Sequence, residues 1–205
     1  MDTAEGSDPA NLPLAGDESA HLPRFAVVDI ETSGLSTRRH RILQVAVVTV
    51  VDGEIADEWA SLIALRWPLQ RVGPRRVHGI SRKHLRGAPS QAAVLTELAE
   101  RLDGSVVTAH TVRVDWPFIE RAARRSGVAI AAGERLCTLR MSRSLDPDRR
   151  LSHRLGDVCE RYGISNDRPH DALHDARATA AALPYLLAEH EVTSSDDLAP
   201  LYERR

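Results

Sequence analysis

Two acidic residues at the end of an apolar segment are the first features of the sequence that could carry chemistry. The segment FAVVDI (25–30) is rich in β-branched residues, as in a buried strand, and it contains Asp29, with Glu31 two residues further on. Residues i and i+2 of a strand point to the same face, so the two carboxylates are predicted to project together. Close like charges repel unless a proton or a cation lies between them, and divalent cations such as Mg²⁺ prefer oxygen ligands. A hydrated strand end is the alternative interpretation.

Asp115 is a third acidic residue in a position that suits a site. It follows a predicted strand, SVVTAH (105–110), after a short connection. Binding sites of α/β proteins gather at the carboxyl ends of strands, so Asp115 could join the first acidic pair. The alternative is structural, because an Asp directly before Trp116-Pro117 fits the N-cap of a helix.

A late segment, PHDALHDARATAA (169–181), contains two His-Asp doublets. If a helix begins near Asp171, then Asp171 and Asp175 lie on one face, four residues apart. His170 would precede the helix, and histidine can take a proton from water near neutral pH. The alternative is the polar start of a surface helix, with Asp171 as its N-cap.

In combination, four acids and one histidine from two strand ends and a helix start suit a site for two metal ions. Two divalent ions about 4 Å apart can activate water and stabilise the leaving 3′-oxygen of a phosphodiester. Because the carboxylates must surround both ions, they have to come from separate elements.

The surrounding sequence predicts a mixed α/β sheet that would position these residues. Apolar segments predict a meander of three strands, with a hairpin turn at Asp52-Gly53. Helices and strands then alternate, which is typical of an α/β domain. The strands are predicted at 25–30, 42–51, 55–63, 105–110 and 136–139, and the helices at 92–102, 116–126, 152–162 and 171–189, with Ser90 and Ser152 as N-caps.

Composition excludes several classes of protein. The chain has 205 residues, of which 42% are hydrophobic, and its two cysteines form no Cys-x-x-Cys zinc motif. The longest apolar run, 42–51, is too short to cross a membrane. Residues 1–23 are acidic and lack a signal-peptide pattern, so they are predicted to be a disordered leader. We therefore expect a cytoplasmic protein with no membrane association.

Four segments also resemble the motifs of a known family. VVDIETSGL (27–35) is similar to a first motif DxETTGL, VHGIS (77–81) to IHGI, AHTVRVD (109–115) to AHNxxFD, and HDALHDA (170–176) to HxALxDA. These are the motifs of the DnaQ-like DEDDh 3′→5′ exonucleases, which include the epsilon subunit of DNA polymerase III. The resemblance covers about residues 24–188. It implies an α/β fold of the ribonuclease H-like type, with a mixed five-stranded sheet flanked by helices.

The resemblance also implies roles for the candidate residues. The exonuclease domain would span 24–189, and 190–205 would form a tail or short helix. Two divalent metal ions, Mg²⁺ or Mn²⁺, would serve as cofactors. The expected metal ligands are Asp29, Glu31, Asp115 and Asp175, with Asp29 bridging both ions, and the expected general base is His170, five residues before Asp175.

Substrate contacts are expected around the first motif. The terminal nucleotide would lie against Thr32, Ser33, Gly34 and Leu35, with further contacts from His78 and Thr111. The sequence departs from the family pattern at four positions near these residues: Ser33 replaces Thr, Thr111 replaces Asn, Val114 replaces Phe, and Gln44 replaces a frequent Glu. None of these departures removes an expected metal ligand or the general base.

The expected partner is the 3′ end of a nucleic acid, with single-stranded DNA favoured over short RNA. A polymerase or other replication protein is a candidate partner. The short sequence after the last predicted helix favours a stand-alone enzyme or an epsilon-like paralogue. Aromatic residues make up 4% of the chain, so base stacking on several aromatic platforms is not expected.

Arginine clusters are candidates for phosphate contacts, although each could equally be a solvated surface. The first cluster is slightly favoured because it follows the first motif directly. The clusters are Arg38/Arg39/Arg41, Arg71/Arg75/Arg76 and Arg121/Arg124/Arg125.

Two other functions compete with a nuclease. The doublets at 170–171 and 174–175 are also found in HD-type metal phosphohydrolases, but that fold is all-helical, whereas this chain begins with strands. An exonuclease-like domain used only for docking or nucleic-acid binding would usually have lost an acid or the histidine. All five residues are present here.

Overall fold

A computed structural model describes residues 21–65, 70–131 and 133–204. Most of the predicted leader, residues 1–20, lies outside the described residues. Among the described residues, no helix combines the length and the apolar character needed to span a bilayer.

The centre of the fold is a five-stranded sheet with the order β3-β2-β1-β4-β5. β1 pairs antiparallel with β2, and β2 pairs antiparallel with β3, whereas β4 and β5 extend the sheet in parallel with β1. This arrangement confirms the predicted meander followed by parallel strands. The strands are β1 Phe25–Thr32, β2 Ile42–Val51, β3 Glu54–Leu62, β4 Val106–Ala109 and β5 Arg135–Cys137.

Helices cover both faces of the sheet, as the alternation of strands and helices predicts. A short 3₁₀ helix, Asp196–Leu201, follows them, and Tyr202 then pairs with Leu136 at the β5 edge. The helices are α1 Arg75–His78, α2 Gln91–Leu102, α3 Val112–Ser126, α4 Thr138–Ser144, α5 Leu155–Arg161 and α6 Ala172–Glu189.

The alternation of side chains along β1 decides which face carries the acidic pair. Ala26 and Val28 pack into a core with residues of α2 and α3, whereas Phe25 and Val27 pack into a second core with residues of α6. Because side chains alternate between the two faces of a strand, Asp29 and Glu31 point to the same side as Val27, the side covered by α6. The acidic pair therefore lies where β1 ends beside the start of α6.

Small residues let α6 approach the sheet closely. Ala172, Ala176 and Ala180 are almost completely buried against β1 and β2, and Leu183 and Leu186 fill the space further along. Full burial of a leucine side chain contributes about 1.5–3 kcal/mol. This packing fixes the helix whose first turn contains Asp175.

Two hydrogen bonds fix the start of α6. The side chain of Asp171, the N-cap residue, accepts a hydrogen bond from the backbone N–H of Leu173 at 3.1 Å. The backbone N–H of Ala172 donates to the side-chain oxygen of Gln44 on β2 at 3.3 Å. Gln44 thus links the helix start to the sheet.

Three predicted helix and strand boundaries were wrong. α3 begins at Val112 rather than 116, so Asp115 lies in the first turn instead of capping the helix. The predicted strand at 136–139 ends at Cys137, because Thr138 begins α4. Ser152 does not cap α5, which begins three residues later with Arg154 at the N-cap position. By contrast, Ser90 accepts a hydrogen bond from the N–H of Ala93 at the start of α2, as predicted.

We predict that the cap formed by Asp171 stabilises the fold. Asp171→Asn should keep the free energy of unfolding close to that of the unmodified chain, because Asn caps helices as well as Asp does. Asp171→Ala should be less stable than Asp171→Asn by roughly 1 kcal/mol. Both changes remove the same charge, so urea unfolding of the two variants isolates the cap. Equal stabilities would show that the cap contributes nothing.

Candidate active site

The carboxyl end of β1 and the first turns of α3 and α6 bring the expected acidic residues together. Ligand atoms of Glu31, His170 and Asp175 all lie within 4.8 Å of one another. Asp29 interacts electrostatically with Asp115, Asp175 and Glu31, in decreasing order of strength. The five residues predicted from three separate sequence segments therefore occupy one place in the fold.

The acidic side chains repel one another in a partly buried environment. Burial raises the pKa of Asp29 well above its ordinary value, and repulsion by Asp115 raises it further. Burial followed by repulsion from Asp175 raises the pKa of Glu31 to about 8. Burial also raises the pKa of Asp115 to about 7, although a hydrogen bond from Thr111 opposes this change.

Within the described part of the chain, no Lys, Arg or His forms an ion pair with Asp29, Glu31, Asp115 or Asp175 at up to 4.0 Å. When they are ionised, the four carboxylates thus form a concentrated negative site whose charge no ion pair within these described residues balances. A set of carboxylate oxygens is the donor chemistry that Mg²⁺ and Mn²⁺ prefer, so these residues fit the expected ions.

Two donors hold the carboxylate of Asp175. The side-chain amide of Asn166 donates to Asp175 Oδ1 at 2.7 Å, and the backbone N–H of His170 donates to Oδ2 at 2.9 Å. Sequence analysis did not identify Asn166. It lies nine residues before Asp175 in a loop between helices, and nothing in the sequence separates it from an ordinary loop asparagine.

His170 adopts a backbone conformation that is unusual for its residue type. Its φ angle is 66°, in the left-handed region, and its side chain is exposed. Such a conformation costs on the order of 1–3 kcal/mol in a residue other than glycine. The hydrogen bond from its backbone to Asp175 helps to offset this cost and holds the imidazole beside Glu31 and Asp175.

The second His-Asp doublet has a different arrangement. His174 Nδ1 lies 3.2 Å from Asp171 Oδ1, and Asp171 itself caps α6. His174 is therefore directed at the helix cap, whereas His170 lies beside the acidic site. The two histidines provide a natural internal comparison for any test of catalysis.

The expected substrate-binding segment Thr32–Leu35 forms a tightly held loop. Ser33 N–H donates to the carbonyl of Arg41 at 2.9 Å, and Arg41 N–H donates back to Ser33 Oγ at 3.0 Å. A Cβ on Gly34 would lie 2.7 Å from the His40 ring, so only glycine fits there. Leu35 at the tip of the loop is 92% exposed. The loop therefore presents an apolar side chain to solvent next to the acidic site.

Thr111 and His78, the two remaining expected substrate contacts, lie outside the Thr32–Leu35 loop. Thr111 Oγ1 donates to Asp115 Oδ2 at 3.4 Å, and Thr111 also lines the cleft beside His170 and Asp175. His78 is buried, and its Nδ1 accepts a hydrogen bond from the backbone N–H of Ile80 at 3.0 Å. Burial lowers the pKa of His78, which favours a neutral ring.

An open cleft of about 980 Å³ lies against one side of the acidic site. His170 and Asp175 line it at one end, and Arg143 and Arg154 belong to its wall. Its size suits part of an extended ligand, and the two arginines could contact negatively charged groups of that ligand.

Comparison with known proteins identifies the class to which this fold and site belong. Residues 26–183 match the family model described as exonuclease, and the chain belongs to this family. This match confirms the predicted resemblance to DnaQ-like exonucleases.

Individual relatives and solved structures agree with this membership. The chain is 32% identical over 176 residues to the PolC-type DNA polymerase III of Halalkalibacterium halodurans, covering 84% of this chain but 12% of that protein. The zinc-bound E. coli exonuclease I–single-stranded DNA complex has a TM-score of 0.73 and 19% identity, and covers 86% of this chain and 43% of that one. The nuclease domain of 3′hExo, a DEDDh family member bound to rAMP, has a TM-score of 0.73 and 15% identity, and covers 91% of this chain and 99% of that one. At these identities the two structures show the shared fold.

We predict that the metal-free protein loses stability as the pH rises. The pKa of Glu31 is raised from 4.5 to about 8 in the folded state. The folded state therefore binds more protons than the unfolded state between these values, and the stabilisation is lost as the pH rises through the folded pKa. In EDTA, the free energy of unfolding should fall between about pH 5 and about pH 8.

The double variant Asp29→Asn/Glu31→Gln should show a much weaker fall over the same range of pH. The matched control is Glu160→Gln/Asp167→Asn, which removes two exposed acids that lie outside the acidic cluster. If the free energy of unfolding depended on pH in the same way in the control and in the acidic-site variant, the repulsion assigned to Asp29 and Glu31 would be contradicted.

Proposed function

We propose that the chain is a metal-dependent exonuclease of the DEDDh class that removes nucleotides from the 3′ end of single-stranded DNA. The observation that supports this most strongly is the meeting of four carboxylates, without a cationic partner in the described residues, beside His170 in a domain of the exonuclease family. A domain used only for docking would have no need to maintain this repulsion.

The acidic residues would hold two divalent ions, Mg²⁺ or Mn²⁺. Asp29 would contact both ions, Glu31 and Asp175 would hold one, and Asp115 would hold the other. When bound, such ions activate water and stabilise the oxygen that leaves in phosphodiester hydrolysis. Ion binding would also relieve the repulsion that raises the pKa values of Asp29 and Glu31.

His170 would act as the general base. Its exposed imidazole lies beside Glu31 and Asp175, at the edge of the site that solvent reaches. From this place it can accept a proton from the attacking water and release that proton to solvent. The hydrogen bond from its backbone to Asp175 ties the position of the base to that of an expected metal ligand.

The loop at Thr32–Leu35 would recognise the end of the strand. Leu35 would pack against the terminal base. Its apolar side chain is exposed next to the acidic site, and contact with a base would remove that apolar surface from water, which is favourable. Backbone N–H groups of this loop would lie near the 3′-hydroxyl. Such contacts select for an end and carry little sequence information.

Single-stranded DNA is the proposed substrate, and short RNA is the second choice. The solved neighbours include a complex of exonuclease I with single-stranded DNA, which supports the first choice. A replication polymerase is a proposed partner, because the chain matches a segment of PolC-type polymerases while spanning 12% of their length.

The direct test is degradation of 5′-labelled oligonucleotides with Mg²⁺ or Mn²⁺. Single-stranded DNA, duplex DNA, duplex DNA with a 3′ mismatch and short RNA should be compared at equal concentration. We expect a ladder of products shortened from the 3′ end, fastest for single-stranded DNA. Asp29→Asn should abolish shortening and leave the folded state intact, because the change removes a charge that is repelled in the folded protein.

No shortening of any substrate with either ion would refute the proposed function. Faster degradation of RNA than of DNA would refute the choice of substrate but keep the exonuclease chemistry. Asp29→Asn with most of its activity retained would show that the acidic cluster is not the site of hydrolysis.

We predict that the two neighbouring histidines differ in importance. His170→Ala should lower kcat by about 10²–10⁴-fold, which is the usual contribution of general acid–base catalysis. His174→Ala should change kcat little, because His174 lies against the Asp171 cap. Single-turnover rates on a labelled oligonucleotide at saturating enzyme measure this difference. Similar losses in the two variants would refute the assignment of His170.

A further inference from the structure

Two arginine clusters that are 80 or more residues apart in the sequence meet at one surface. The β1–β2 loop supplies Arg38 and Arg41, and the second half of α3 supplies Arg121 and Arg125. The guanidinium of Arg125 donates to the backbone carbonyl of Arg38 at 3.0 Å. Arg41, Arg121 and Arg125 line one narrow crevice between the loop and the helix. We call these four residues the arginine surface.

The positive charge of the arginine surface is not balanced within the described residues. None of its four members forms an ion pair with Asp or Glu there at up to 4.0 Å. Arg121 Nε is buried and has no hydrogen-bond partner in the same residues. Burial lowers the pKa of Arg125, and the neighbouring Arg41 and Arg121 lower it further. Like charges held together in this way favour a bound anion.

Both elements that carry the arginine surface also reach the acidic site. α3 contains Asp115 in its first turn, and Arg121 and Arg125 follow six and ten residues later. At 1.5 Å per residue these positions lie about 9 and 15 Å along the helix from Asp115. The β1–β2 loop likewise runs from Leu35 to Arg38 within three residues. The arginine surface therefore lies close to the expected position of the terminal nucleotide.

We propose that the arginine surface binds the backbone phosphates of a single nucleic-acid strand within the first few nucleotides of its 3′ end. The separation along α3 is short enough for phosphates close to the 3′ end to reach these arginines while the terminal nucleotide lies at the acidic site. Planar guanidinium groups bind phosphate oxygens through paired hydrogen bonds, whichever bases the strand contains. This inference rests on the proposed exonuclease function, and it assigns the length of strand that the enzyme holds.

The test compares long and short substrates. Arg121→Gln/Arg125→Gln removes two charges of the arginine surface but no residue of the acidic site. The control, Arg24→Gln/Arg204→Gln, removes two exposed charges that lie outside both the arginine surface and the acidic site. Arg121→Lys/Arg125→Lys keeps the charge and separates phosphate binding from a purely structural role. The substrates are the p-nitrophenyl ester of thymidine 5′-monophosphate and oligo-dT of two, four, eight and sixteen nucleotides.

We expect the unmodified protein to show a KM that falls with oligonucleotide length and then levels off once the strand is long enough to reach the arginine surface. The Gln double variant should raise KM for the sixteen-nucleotide substrate on the order of tenfold. The dependence of log(1/KM) on log[NaCl] should become shallower by about 1.4, since each phosphate contact to a single strand contributes about 0.7. Hydrolysis of the p-nitrophenyl ester should be unchanged, and the Lys variant should recover most of the binding.

Different results would refute the proposed function and the phosphate-binding role of the arginine surface. An unmodified protein that hydrolyses neither the ester nor any oligonucleotide refutes both. An active protein whose Gln variant matches the control at every length and salt concentration refutes the arginine surface alone. Equal loss of activity on the ester and on the long substrate also refutes it, because the change would then act on the acidic site.

Discussion

Repulsion among Asp29, Glu31, Asp115 and Asp175 is the constraint on which the rest of the structure depends. Four carboxylates in a partly buried place cost folding free energy, and burial together with their mutual charge raises the pKa values of Asp29 and Glu31. The fold supports this arrangement through paired strands and two packed helices. Asp29 and Glu31 lie near the end of β1, and the first turns of α3 and α6 contain the other two acids. Bound cations would convert the unfavourable arrangement into a binding site.

Positioning of the acids depends on contacts outside the acidic cluster. Gln44 holds the start of α6 against β2, and the small alanines of α6 let the helix lie close to the sheet. Asn166 and the backbone of His170 orient the carboxylate of Asp175. A neutral Gln44 performs this docking without adding a fifth negative charge. The site therefore depends on a neutral polar framework that surrounds the charged residues.

The sequence predicted the parts of this structure that follow from local patterns. The period of two residues along β1 placed Asp29 and Glu31 together, and the turn at Asp52-Gly53 indicated the meander. Long-range packing produced the features that were not predicted. Asn166 has no distinguishing local pattern, and the meeting of Arg38 with Arg125 requires knowledge of how the β1–β2 loop lies on α3. The early start of α3 likewise could not be predicted, because Asp115 before Trp116-Pro117 is typical of a helix cap.

Calorimetric titration with Mn²⁺ measures whether these carboxylates form a cage for divalent cations. We expect the unmodified protein to bind two Mn²⁺ ions per chain near neutral pH and to release protons as they bind, because Glu31 has a pKa of about 8 before the ions neutralise the site. Absence of saturable Mn²⁺ binding, or binding with no proton release, would contradict this expectation.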